Sequence, residues 1–265
     1  MVAFDNTPKA REVQDPLEYA VASRDHDAPR LVREALSAGR CLLAFQPVAR
    51  RDGGIAFYEG LIRIKDEAGR ILPARTFVSD VEDTELGRDL DTASLSLGFE
   101  MLRNNPGLRL SINVSARSLG DSAWRAVLNE NIDRNTFLEE RLILEIGAGS
   151  AMMLPEVVAR FMKELQPLGV AFALDDFGAG LTSFRNLRSF YFDLVKIDRF
   201  FVSGVADDPD NQVMVGALLS IAHQFDMFAV ATGVERRVDA EWLAAAGVDC
   251  LQGFHTGVPR FSLLR

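Results

Sequence analysis

From residue 108 to residue 252 the sequence alternates short apolar runs with segments of helical length. The runs are 108–114, 141–146, 170–174, 194–197, 227–231 and 249–252; between them, 121–131, 154–168, 211–225 and 238–246 read as helices, with a short one from Ser183. Gly169 and Gly247 stand where two of those helices end. Unbroken apolar runs such as Val170 to Leu174 suit strands buried on both faces, and their alternation with helices predicts a parallel sheet. Two earlier runs, 41–48 and 55–64, flank a turn carrying Asp52-Gly53, so they should form an antiparallel hairpin. A helix over 31–38 precedes them, and 76–102 is helical with an expected break near Gly87. Eight strands in one domain-sized chain without a long linker favour a closed α/β barrel over an open sheet.

The polar residues fall at repeated places within these runs. Asn113, Glu145, Asp175, Lys196, Thr232 and Gln252 each come at or just after the end of an apolar strand, and Asp176 follows Asp175 directly. In an α/β barrel the carboxyl ends of the strands surround one mouth, where binding and chemistry are built. One such residue alone reads as a hydrogen-bonded core group, and Asp175-Asp176 before Gly178 and Gly180 alone reads as a turn. Six strands with the same design point to a shared site. Glu59, Asn113, Glu145 and Asp175 are oxygen donors suited to Mg²⁺, Mn²⁺ or Ca²⁺, and a cation would relieve the repulsion between Asp175 and Asp176. Two Cys and three His without zinc spacing argue against a nitrogen–sulfur metal site. Lys196 and Arg63 could hold a phosphate.

The net charge of −9 argues against generic binding to DNA, RNA or an anionic membrane, so an anionic ligand needs a local cation. Cys41 and Cys250 are expected as reduced core thiols in a cytoplasmic protein. The start lacks the continuous apolar core of a signal peptide, and His223, Gln224 and Asp226 interrupt the most apolar region, which excludes a membrane span there. Residues 1–29 read as a flexible arm and 30–265 as the barrel domain.

With these residues in place the chain resembles the EAL-domain family of cyclic-di-GMP phosphodiesterases. The matching segments are FQPV, EGLIR, INVSARSL, LEI, LDDFGAGLTSF, FDLVKID, TGVE and QGFHTGVP, in the family's order and spacing. The resemblance implies a modified TIM (β/α)8 barrel with its first strand antiparallel to the rest. It implies that Glu59, Asn113, Glu145 and Asp175 face a divalent metal, Mg²⁺ or Mn²⁺, and that Asp176 serves a second. Lys196 and Asp176 would be the catalytic pair, with Lys196 beside the attacked phosphate. Gln46, Glu59, Leu61, Arg63, Glu235 and Gln252 would bind cyclic-di-GMP. A homodimer contact would fall at the Asp175–Gly180 loop.

Two departures from the family pattern bear on activity. Thr232 stands where active relatives carry the first Glu of Glu-Gly-Val-Glu, and Ala148 stands where they carry a Glu that steadies the Asp-Asp loop. A neutral hydroxyl contributes little to a dication, and two-metal hydrolysis depends on both ions. The reading is therefore a degenerate EAL domain that binds cyclic-di-GMP or a protein partner, with at most one weakly held cation. The alternative is an active metal-dependent phosphodiesterase opening cyclic-di-GMP to linear pGpG, and the second alternative a nucleotide-independent interaction module.

Overall fold

The computed structural model describes residues 27–132, 137–180 and 184–263. Residues 1–26 of the expected arm and the Ser183 start of the short helix lie outside them.

Strands β1 (Cys41–Arg50) and β2 (Ile55–Lys65) form the expected hairpin, paired antiparallel from Cys41 opposite Ile64 onward. Its turn uses the local chemistry of Asp52-Gly53: the Asp52 carboxylate accepts from the Gly54 amide at 2.9 Å, and Gly53 takes φ 83°. A short strand, β3 (Ile71–Pro73), adds antiparallel to β2. On that same edge, the one away from β1, the earlier residues Tyr58 to Gly60 of β2 pair in parallel with β4 (Leu110–Asn113). From there β5 (Leu142–Gly147), β6 (Ala171–Phe177), β7 (Leu194–Ile197), β8 (Phe228–Ala231) and β9 (Cys250–Gln252) follow in parallel. The circle closes where β9 meets β1 antiparallel, Val48 opposite Gln252. The result is an eight-stranded barrel in which only β1 runs against its neighbours, with β3 as an appendage.

The barrel interior explains why polar residues gather at one mouth. Val48, Phe57, Ile143, Ala173, Leu194, Val230 and Cys250 make one apolar cluster that fills the interior. Strand side chains alternate faces, so the residue two positions toward the mouth faces the interior as well. From that cluster the step of two reaches Gln46, Glu59, Glu145, Asp175, Lys196, Thr232 and Gln252. The site is the next layer above an apolar plug. A larger core, including Trp124, Phe161 and Phe172, lies between the barrel wall and the helices. A separate cluster under helix Ala28–Ser37 joins Val32, Ile64, Phe77 and Leu90.

The helices differ from expectation mainly at their ends. Asp121 and Asp208 cap Ser122–Asn131 and Pro209–Gln224, each carboxylate accepting from two amides of the first turn. The break expected near Gly87 falls earlier: helix Val78–Val81 ends and a new helix runs unbroken from Glu85 to Asn104. Gly87 is inside that helix because the preceding turn packs onto it, and a Cβ there would lie 2.7 Å from the Val81 and Glu82 carbonyl oxygens. The expected 154–168 helix is Pro155–Leu165 with a 3-10 turn, and a further helix, Ala148–Met153, precedes it. Among the described residues no helix is long and apolar enough to cross a membrane.

Candidate ligand and metal site at the barrel mouth

Lys196 organises the mouth. From β7 its ammonium reaches across the interior to Glu59 on β2, donating to Oε2 at 2.8 Å, and to Glu145 Oε2 on β5 at 2.6 Å. Asp175 Oδ1 lies 3.6 Å away. All four side chains are wholly or largely buried, so the charges are weakly screened. Glu59 is held from two further directions: Asn113 Nδ2 donates to Oε1 at 2.8 Å, and Gln252 Nε2 donates to Oε2. Gln46 stands beside Gln252 and gives its own amide to the Gly257 carbonyl at 3.1 Å.

The protonation states follow from this arrangement. Burial works against the charge on Lys196, but Asp175, Glu145 and Glu59 outweigh it and raise its pKa well above the usual lysine value. Burial also opposes ionisation of Glu59, yet Lys196, Gln252 and Asn113 hold that carboxyl below its usual range. Glu145 goes the other way: burial and the neighbouring Glu59 charge push it up to about 8. Asp175 is raised as well, first by burial. Asp176, raised to about 6 by burial and by Asp175 and Asp198, has left-handed backbone at φ 54°. One lysine therefore faces more carboxylate than it can neutralise, the condition under which a site takes up protons or a metal ion.

The donor set suits a hard divalent ion. Glu145 Oε1 is buried and has no hydrogen-bond partner among the described residues. Gln252 Oε1 is in the same position. Among the described residues no three His, Cys, Asp or Glu side chains are grouped to cage an ion by themselves. The reason is visible in the distances, since Lys196 Nζ stands among Glu59, Glu145 and Asp175 and bridges them.

Above this layer lies an open cleft of about 270 Å³, lined by Gln46, Glu59, Asp175, Asp176, Lys196 and Gln252 together with Thr232, Gly233, Glu235, Gly253, Arg199 and Phe254. Most of the expected site residues thus line one cleft, and Asn113 and Glu145 are hydrogen-bonded to its members. Leu61 and Arg63 continue the Glu59 face of β2 but are not among the lining residues. Arg63 is 4% exposed and gives Nη1 to the Ile62 carbonyl. Thr232 uses its hydroxyl on the Ile197 carbonyl at 2.8 Å. Ala148 is buried at the start of its helix, against a neighbouring cavity of about 450 Å³ shared with Met152, Met153, Asp176 and Ala179. Sequence reasoning missed Arg199 and Phe254. Arg199 follows Lys196 by three residues and Phe254 follows Gln252 by two, so proximity to a strand end was the signal that could have found them.

The chain belongs to the EAL domain family, whose model matches residues 30–259. It is 26% identical over 227 residues to a protein of Escherichia coli (strain K12) named cyclic di-GMP phosphodiesterase PdeR, covering 84% of this chain and 34% of that one. A solved structure described as PaMucR phosphodiesterase, c-di-GMP complex, is similar with a TM-score of 0.78 at 25% identity, over 89% of this chain and 98% of that chain. The FimX EAL domain from Pseudomonas aeruginosa bound to c-di-GMP shares the fold, with a TM-score of 0.81 at 23% identity over 89% of this chain and 98% of that one. The chain spans between 28% and 34% of the length of the first curated relatives it matches.

Proposed function

We propose that this EAL domain binds cyclic-di-GMP and is impaired in hydrolysing it, acting as an effector in cyclic-di-GMP signalling. The observation that carries this reading is a division within one cleft. Glu59, Asn113, Glu145, Asp175, Lys196 and Gln252 keep a connected network at the mouth, while Thr232 offers the same cleft a hydroxyl already engaged with the Ile197 carbonyl. In the reading, Glu59, Asn113, Glu145 and Asp175 hold one divalent cation, Mg²⁺ or Mn²⁺, with Asp176 beside a second position. Such an ion supplies Lewis acidity and lowers the pKa of water. Lys196 keeps Glu59 ionised and offers its ammonium to phosphate oxygen, while Gln252 and Asn113 fix the Glu59 carboxylate. With Thr232 in place of a carboxylate, the second position has one acidic group fewer. Ala148 leaves the Asp175-Asp176 loop without a carboxylate on that side. A homodimer contact through the Asp175–Gly180 loop, or a protein partner there, would act on the same two aspartates.

A second reading is an active phosphodiesterase, favoured by the oxygen donors that remain around Lys196 and by the name of the Escherichia coli relative. One experiment separates the two. The purified protein is incubated with cyclic-di-GMP and Mg²⁺ or Mn²⁺, and binding and linear product are measured in parallel. Binding without product supports the effector; robust product that disappears in Glu59→Ala supports the enzyme; neither would discard both.

A further inference from the structure

An anionic ligand entering this cleft meets an acidic wall. Glu59, Asp175, Asp176 and Glu235 line it, and among the described residues only two cations do, Lys196 and Arg199. Lys196 is 2% exposed and already engaged by Glu59, Glu145 and Asp175. Arg199 is in the opposite condition. Its side chain is 73% exposed, and its ion pair with Glu235, Nη2 to Oε1, is loose at 3.9 Å, with Glu235 itself largely in water. Screening at such a surface leaves that pair weak, so an incoming phosphate can displace it.

The backbone holds Arg199 in this position. It opens the short helix Arg199–Val202, whose first turn is capped by Asp198 accepting from the Phe200 amide at 2.6 Å. The stem of Arg199 crosses Gly233, which has φ 71°, so closely that a Cβ there would lie 2.6 Å from Arg199 Cβ and 3.7 Å from Nε. Gly233 thus allows the guanidinium to lie over the segment that begins at Thr232. Thr232, being neutral, does not compete for it. A planar guanidinium with several N–H donors suits phosphate oxygen in a fork that an ammonium cannot match.

We propose that Arg199 is the residue through which the cleft takes hold of the phosphate of its nucleotide, a role that Lys196 is too buried and too heavily paired to begin. This rests on the nucleotide-binding reading above and adds to it the group that makes the first charged contact. It also predicts a conflict: a carboxylate at 232 would pair with Arg199 and weaken phosphate uptake whenever no metal ion is present to offset it.

The test uses calorimetric titration of the whole chain with cyclic-di-GMP and, separately, with GMP, both in chelator and in Mg²⁺. Wild type is compared with Arg199→Gln, Arg199→Lys, Thr232→Glu and Arg237→Gln. The last removes the same charge from an exposed arginine that pairs with Glu241 and lies outside the cleft. Arg199→Gln should weaken binding roughly tenfold or more, Arg199→Lys less, and Thr232→Glu in chelator by several-fold, with Arg237→Gln within about twofold. Equal losses in Arg199→Gln and Arg237→Gln would reduce the effect to net charge and overturn the proposal. So would unchanged affinity in Arg199→Gln when the wild type binds, and in both cases the nucleotide-binding reading survives. Arg199-dependent binding of GMP without any binding of cyclic-di-GMP would discard the reading and keep the phosphate contact. Binding of neither probe by the wild type would discard both.

Discussion

Replacing Lys196 by methionine tests the central network most directly. The two side chains have similar length, so Lys196→Met removes the ammonium while leaving most of the packing. In the wild type that ammonium contacts Glu59 at 2.8 Å and Glu145 at 2.6 Å inside the barrel. Burial and the Glu59 charge raise Glu145, whereas against burial Lys196, Gln252 and Asn113 hold Glu59 below its usual range, so the charge left uncompensated is chiefly that of Glu59. Removing one partner of a buried ion pair typically costs about 3–5 kcal/mol, because the remaining charge has neither water nor a counter-ion. Gln252 and Asn113 still donate to Glu59, so the lower end of that range is expected, about 3 kcal/mol at pH 7.5. The pH dependence has a definite sign. In the variant the folded-state pKa of Glu59 is raised above its unfolded value, so the folded form takes up a proton more readily. The penalty is therefore small at pH 4.5 and grows as pH rises toward 7.5. Denaturant unfolding followed by circular dichroism at the two pH values measures this. A loss under about 1 kcal/mol at pH 7.5, or the same loss at both pH values, would refute the idea that Lys196 neutralises buried Glu59.

Three further outcomes are expected. Thr232→Glu with Ala148→Glu should hydrolyse cyclic-di-GMP faster than wild type in Mg²⁺, by about two decades, with more gained together than singly and the gain abolished by Glu59→Ala; chromatography of the linear product measures it. Asp91 is half-buried and raised to about 6, chiefly by desolvation of its carboxylate, although it accepts from the Ser115 amide at 2.9 Å and the Ser118 hydroxyl at 2.6 Å. Its folded pKa lies above its unfolded one, so its contribution to stability should fall between about pH 4 and 6, and unfolding of Asp91→Asn across that range should lack this slope. Gly253→Ala would place a Cβ 2.1 Å from the Val234 carbonyl oxygen, and should destabilise the fold by more than about 3 kcal/mol or prevent folding; an unfolding midpoint near wild type would show that this turn yields.

Much of this protein is legible one strand at a time. The apolar runs ending at Asn113, Glu145, Asp175, Lys196 and Gln252 are local patterns, and so is the Asp52-Gly53 turn that reverses β1 against β2. Because strand side chains alternate, position within a run tells which residues share a face and which lie at its carboxyl end. The oxygen-rich chemistry of the set, and the neutral Thr232 and Ala148 within it, could likewise be read without coordinates. What only the closed barrel decided is who meets whom. Lys196 contacts Glu59, 137 positions earlier, because β7 and β2 stand opposite one another once β9 has closed on β1. No periodicity encodes that pairing. The same holds for the Thr232 hydroxyl, which turns to the carbonyl of Ile197 on the neighbouring strand, and for the long helix through Gly87, whose glycine admits a packed turn rather than ending the helix. Arg199 escaped notice for a related reason. It lies beyond its strand, and its place in the cleft depends on crossing Gly233, which is distant in sequence. Local sequence sets secondary structure and the face each residue takes, whereas charge balance in the site depends on contacts between strands far apart in the chain.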